Sequence, residues 1–328
     1  MQAENEKIMV TRMQHGLLLL ALLFAAGTHA QNYPIKPVRI VAATTAGGSV
    51  DMVARLVGQR LSDTFGQQFL IENRPGASNN IGTDYVAKSA PDGYTLLMAS
   101  SPALASNIHL YPKLPFDPVK DFVPIILIVN QPNVLVLNPR VPVTSVKEFV
   151  ALVKSRPGKL TFASSGMATS QHIAAELFML MTGVNMVHIP YKGGAPALID
   201  TVGGQVDLMF ETAPTAIPFV KSGKLKALGV TTLQRSGMLP DVPTLDEAGV
   251  KGYEFRGWIG LVAPAATPKD VTAKLHAEVQ NAINGDLRKR LIELGLDVAG
   301  GTAEQFAAFI REDSARYEKI IKKAGISL

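Results

Sequence analysis

The chain has 328 residues, of which 47% are hydrophobic and 18% charged, enough apolar material for one large or two medium domains. It has no cysteine, which excludes a disulfide scaffold, a thiolate metal site, a thiol nucleophile and an N-terminal lipidated cysteine. The net charge of +5 is spread along the chain, with no basic run longer than Arg288-Lys289-Arg290 and no interleaved aromatics. Nucleic-acid binding is therefore not expected, and a mild positive field suited to small anions is.

Residues 17–26 read LLLLALLFAA, too short to span a bilayer, with Arg12 and His15 before them and Thr28-His29-Ala30 after them. Residues 1–30 are thus expected to be a signal peptide, removed on export. Glu4 and Glu6 are unusual in such a leader, which leaves the start codon open between Met1, Met9 and Met13.

Strand-like and helical patterns then alternate. A β-rich run at 38–42 leads into a helix in which Val53, Leu56, Val57 and Leu61 recur at three- and four-residue spacing. A strand at 68–72, a helix at 80–89, the turn Pro91-Asp92-Gly93 and a strand at 95–99 follow. Two apolar stretches over 125–137, separated by Asn130-Gln131-Pro132, suggest a crossing between domains. The second half repeats the alternation: helices at 146–154, 169–181 and 195–202, and strands at 160–163, 186–189 and 207–210. Residues 253–262 suggest a return crossing. Three helical patterns close the chain, starting at Pro268 with Thr267 as cap, at Asp286, and at the capping box Thr302 to Gln305, with no strand-like run after them; Ser145 to Glu148 forms another such box. Repeated βα units predict an α/β fold with a mainly parallel sheet. The expected domains are 31–132 with 257–328, and 133–256.

In such a sheet, ligands bind where strand ends meet helix starts. The first junction is Thr44-Thr45-Ala46-Gly47-Gly48-Ser49, and its counterpart is Ser164-Ser165-Gly166-Met167-Ala168-Thr169. Small residues let the backbone approach an anion, and hydroxyls and amides can hold a carboxylate without a paired cation. A third junction, His188-Ile189-Pro190-Tyr191-Lys192-Gly193-Gly194, makes Tyr191 and Lys192 further candidates for lining a cleft, with a packed Tyr and a solvated Lys as the alternative. No nucleophile elbow, zinc-protease motif, phosphate loop or dinucleotide fingerprint occurs. His172 and Glu176 could share a helix face as metal ligands, but no third ligand is evident. Ser49 or Ser165 could enter a triad, but nothing requires one. No enzyme activity, cofactor or metal is expected.

Several motifs together resemble one family. Tyr33-Pro34 with Lys36 to Val41, Ala46-Gly47-Gly48-Ser49 with Asp51, Glu72-Asn73-Arg74-Pro75-Gly76-Ala77 with Asn80-Ile81-Gly82, and Ala90 to Leu96 are similar to the Bug (TctC-type) extracytoplasmic receptors of tripartite tricarboxylate transporters. The likeness continues through Ser164-Ser165-Gly166, Pro190-Tyr191-Lys192-Gly193, Gly203-Gly204-Gln205-Val206-Asp207 and Leu239 to Thr244, covering essentially all of 33–328. The resemblance implies a periplasmic Venus-flytrap fold of the type II binding-protein class, with two α/β domains joined by two crossing strands. It further implies a small organic carboxylate in the cleft, membrane transporter subunits as partners, and a soluble monomer.

Four departures stand out. Ala42-Ala43-Thr44-Thr45 stands where a Pro-aromatic pair followed by Ala-Ala or Ala-Pro is common, Val50 stands where Thr is frequent, Met167-Ala168-Thr169 replaces a Gly-containing turn, and Glu211 stands where Asp is frequent. These make Met167 and Glu211 candidates for shaping the pocket, and they favour a carboxylate with an apolar or aromatic body. A ligand sensor for a membrane signalling partner shares every one of these features, and an exported hydrolase is the remaining alternative.

Overall fold

Runs of β-branched residues supply the strands, and the glycine-rich ends of those runs supply the turns into helices. The computed structural model describes residues 33–327; the expected leader at 1–30 lies outside them. Strands β1 (Val38–Ala42), β2 (Phe69–Asn73) and β3 (Thr95–Ser100) run parallel in the order β2-β1-β3, linked by helices α1 (Ser49–Phe65) and α2 (Asn80–Ala87). The long strand β4 (Phe122–Leu137) then carries the chain into the second half. There, helix α3 (Val146–Ser155) leads to β5 (Thr161–Ser164), α4 (Ser170–Thr182), β6 (Val187–Pro190), α5 (Gly194–Gly203), β7 (Leu208–Thr212), α6 (Ala213–Lys221) and β8 (Lys226–Val230). Strand β9 (Arg256–Pro264) returns between β3 and β4, antiparallel to both. Helices α7 (Lys269–Asn284), α8 (Asp286–Glu293) and α9 (Ala303–Ala324) close the fold, with a two-residue strand β10 (Asp297–Val298) before the last. The chain from Pro37 onward forms one compact unit.

Most expected elements are present, displaced by a few residues, and four expectations need correction. The two β-like stretches over 125–137 are one strand of 16 residues. Pro132 can lie inside it because it pairs with Arg256 where the β4–β9 ladder ends, and Pro124 sits at a register shift, so neither missing N–H interrupts a regular ladder. The sheet is mixed rather than mainly parallel, because β4 and β9 run against their neighbours. Strand β10 pairs with Asn130 and Val129, contrary to the expectation that no strand lies among the closing helices; two residues carry no periodicity to read. Thr267 does not cap α7: its hydroxyl turns back to the Pro264 carbonyl (2.7 Å), and Pro268 takes the cap position. Helix α6 and strand β8 went unread because Pro214 and Pro218 break the helical signal.

The two halves of the sheet meet at β4, which pairs with β9 up to Pro132 and with β7 and β8 from Asn133 onward. The inner side of β9 is close-packed. A Cβ built on Gly260 would lie 2.3 Å from Phe306 Cζ and 2.9 Å from the Ile126 carbonyl oxygen, and Phe306 packs edge-on to Trp258 with ring centroids 5.4 Å apart. Helix α9 can approach the sheet this closely only because position 260 has no side chain. Gly260→Ala is expected to cost ~1–3 kcal/mol by overpacking and to lower the melting temperature by several degrees, measured by thermal unfolding followed by circular dichroism.

Candidate functional site

Four strand-to-helix turns converge on one cavity, and at none of the four helix starts does the first residue's own side chain cap the free N–H groups, although the Thr212 amide at the start of α6 is taken by Glu211 Oε1 (2.8 Å). Gly48 opens α1, Thr169 opens α4, Gly193 opens α5 and Thr212 opens α6, each without a side-chain cap hydrogen bond. The uncapped amides and the aligned peptide dipoles put partial positive charge at each of these ends. A cavity of about 60 Å³ lies among them, lined by residues of every one of these turns, including Gly48, Ser49, Thr169, Ser170, Gly194, Thr212 and Thr215. Gln131 of β4, and Gly257 and Trp258 of β9, contribute the remaining wall where the two halves meet. Glu211 is the one titratable side chain in this lining, which contains no Lys, Arg or His.

The turns that open α1 and α4 are braced from behind. Gly47, with φ of 80°, adopts a left-handed conformation that favours glycine, and its amide donates to Asp51 Oδ2 at 2.9 Å. Asp51 also accepts from Arg55 Nε (3.0 Å) and Asn73 Nδ2 (2.9 Å). Burial alone would raise the Asp51 carboxyl, but the hydrogen bonds from Arg55, Gly47 and Asn73 outweigh it and hold it below its ordinary value.

In the second turn, Ser164 Oγ accepts from the Gly166 amide (3.1 Å) and Thr169 Oγ1 donates to the Gly166 carbonyl (2.8 Å). The Ala168 amide donates to His172 Nδ1 at 3.1 Å, which places that ring's proton on Nε2, facing Glu176 at 3.3 Å. His172 stacks on His188 with centroids 4.0 Å apart, and His188 stacks on Phe162 at 4.7 Å. Burial, with His172 adding to it, pushes His188 down to about 3, so its ring stays neutral beneath the turn. His172 and Glu176 are thus partners of each other.

The structure divides the sequence-derived candidates. Thr44, Gly48, Ser49, Ser165, Thr169 and Glu211 line the 60 Å³ cavity. Gly166, Met167, Tyr191 and Lys192 line an adjoining cavity of about 240 Å³ that shares Thr44, Asn79 and Ser165 with the first. Tyr191 donates its hydroxyl to Asp200 Oδ2 (2.7 Å) and is pushed up to about 12 by burial and by that carboxylate. Ala46 and Gly47 face outward, Ser164 and Ala168 are buried behind the turn, and Thr45 meets Gly193: a Cβ on Gly193 would lie 2.5 Å from Thr45 Cγ2. That contact and the Ser106 hydroxyl donating to the Ala168 carbonyl (2.8 Å) link the two halves beside the cavity.

Asn79, Ser100, Ser101, Gln131, Gln171, Thr212 and Thr215 also line the small cavity, and sequence reasoning missed them. A signal for two of them was present: Gln131 is a polar residue inside an apolar run, and Thr212 follows a strand as the other junctions do.

The model of the tripartite tricarboxylate transporter family receptor, TctC, matches residues 53–326. The chain belongs to this family. BugT of Bordetella pertussis is 34% identical over 318 residues, covering 95% of this chain and 97% of that protein. Among solved structures, Rpa4515 of R. palustris with adipate superposes with a TM-score of 0.88 at 38% identity, covering 90% of this chain and 99% of its own. MatC from Rhodopseudomonas palustris with bound malate gives 0.84 at 34% identity, covering 88% and 100%. The fold of this Bug/TctC-type receptor is that of the periplasmic solute-binding proteins, two α/β halves joined by β4 and β9. Among the described residues, no helix is long and apolar enough to cross a membrane.

The bracing of the first turn gives a pH-dependent expectation. Because the Asp51 carboxyl is held low in the folded protein, its stabilisation is complete above the ordinary carboxylate range and is lost as pH falls through the lowered value. Asp51→Asn should cost ~1–3 kcal/mol near neutrality, and its deficit against the wild type should shrink in acid; urea unfolding of both proteins across that range measures it.

Proposed function

We propose that this receptor is exported to the periplasm, captures a small organic carboxylate in its cleft and delivers it to the membrane subunits of a tripartite tricarboxylate-type transporter. The supporting observation is the convergence of four helix N-termini, three of them with no side-chain cap and the fourth held by Glu211, on a small cavity that no basic side chain lines. Such a field favours an anion, and fixed neutral donors stabilise it without the desolvation of a buried cation. Relatives that hold adipate and malate support the same class of ligand. The turns at 44–49 and 164–169 are the carboxylate holders in this reading, Tyr191 and Met167 shape the adjoining space, and no cofactor or metal takes part.

Ligand capture then works as a population shift. One molecule can touch both halves only when they are closed, so binding favours the closed form, whose surface the membrane partner reads.

A thermal-shift screen of the leaderless protein against aliphatic dicarboxylates, aromatic carboxylates and amino acids tests this reading. A ligand at a hundred times its Kd should stabilise the folded form by about 2.7 kcal/mol. Ser165→Ala, in the cavity lining, should weaken affinity about tenfold. His276→Ala, whose ring bonds to the Gly301 carbonyl at 2.8 Å, should leave affinity unchanged. A screen in which no acid raises the melting temperature, or equal losses in the two variants, would count against it.

A further inference from the structure

The carboxylate reading leaves one group in the cavity with a hydrogen-bonding position that the protein itself does not fill. Glu211, near the end of β7, is 1% exposed. Its Oε1 accepts from the Thr212 amide (2.8 Å), the Thr212 hydroxyl (2.9 Å), the Thr215 hydroxyl (2.6 Å) and Gln171 Nε2 (3.3 Å). Its Oε2, equally buried, has no partner.

Resting on that reading, we propose that Glu211 serves the cavity as a neutral carboxylic acid, with Oε1 anchored by the protein and Oε2–H donated to an oxygen of the ligand's carboxylate. The asymmetry is the first argument. A neutral carboxyl has one acceptor oxygen and one O–H, which matches one crowded and one unoccupied position, whereas an ionised group would leave a bare buried oxygen. The second argument is the count of charges. An ionised Glu211 and a bound carboxylate would be two anions in one small cavity lined by no cation, the situation in which one proton is held at the site. The four helix ends favour one anion, and the ligand is that anion.

Within the cavity lining there is no countercharge, and Lys192, which lines the adjoining cavity, is exposed to solvent. Strands β4 and β5 carry no ionisable residue. On α4, His172 and Glu176 face each other; on α5, Asp200 holds the Tyr191 hydroxyl; on α6, Lys221 stands at the far end. Burial raises the Glu211 carboxyl against the opposing hydrogen bonds of Thr215, Thr212 and Gln171. The other unpartnered buried atom in the lining, Gln131 Oε1, belongs to an amide that can turn its NH₂ inward.

Two measurements decide the matter, with adipate and malate as probes. Infrared difference spectra at neutral pH, wild type against Glu211→Gln, should show the carbonyl band of a protonated carboxyl only in the wild type, before and after the acid is added. Calorimetry should find that Glu211→Gln, whose NH₂ replaces the O–H, binds within about threefold of wild type, while Glu211→Leu loses tenfold or more. A missing carbonyl band in a protein that binds either acid overturns the proposal alone, as does a Gln variant as weak as the Leu variant. Failure of wild type to bind any acid, with the band present, overturns instead the carboxylate reading and the ligand contact built on it.

Discussion

One constraint governs this structure: strand-to-helix turns from both halves must meet at a small cavity whose lining holds no basic side chain. A lysine or arginine in the cleft would attract a carboxylate from farther away, but it would have to be desolvated on closure, and a buried pair recovers that cost only with near-ideal geometry. Helix N-termini avoid the problem. Their N–H groups are already fixed by the helices behind them and reorganise little when a ligand arrives. The demand this makes falls on the backbone: the turns must be small, correctly aimed and rigid. Glycine at 47 and 166, with φ of 80° and 132°, meets the conformational part of it.

Rigidity comes from groups that have no part in the cavity lining. Asp51 ties the first turn to α1 and to β2 through Gly47, Arg55 and Asn73. The second turn rests on the Phe162, His188 and His172 stack, in which His172 Nδ1 receives the Ala168 amide and Ser164 receives the Gly166 amide. Both supports satisfy turn amides from behind, so those amides are not available to a ligand, while the helix starts of α1 and α4 beside them have no side-chain cap. The division separates holding the turn from holding the guest.

How much of this was legible follows from the range of each signal. The βα alternation and the junctions at 44–49 and 164–169 are local patterns, and they were readable. The β4 crossing was readable only in part: Asn130-Gln131-Pro132 looked like a break, because whether a proline ends a strand depends on its partner, and Pro132 happens to sit where pairing passes from β9 to β7. Gln131, Gln171 and Thr215 reach one cavity from three separate elements, and no spacing rule foretells that. Glu211 entered only as a difference from a family pattern; its buried, half-satisfied carboxyl is a property of the surrounding β7, α4 and α6 and could not be read along the chain.

The same geometry bears on closure. Thr45 lies against Gly193 beside the cavity, and the Ser106 bond to the Ala168 carbonyl lies on the turn that opens α4. These contacts between the halves are thus built from the same turns that surround the cavity. A guest that shifts either turn changes the fit of the other half, since close-packed contacts do not deform gradually. β4 runs through both halves as one strand, so the turns at the cavity are positioned by a single continuous ladder.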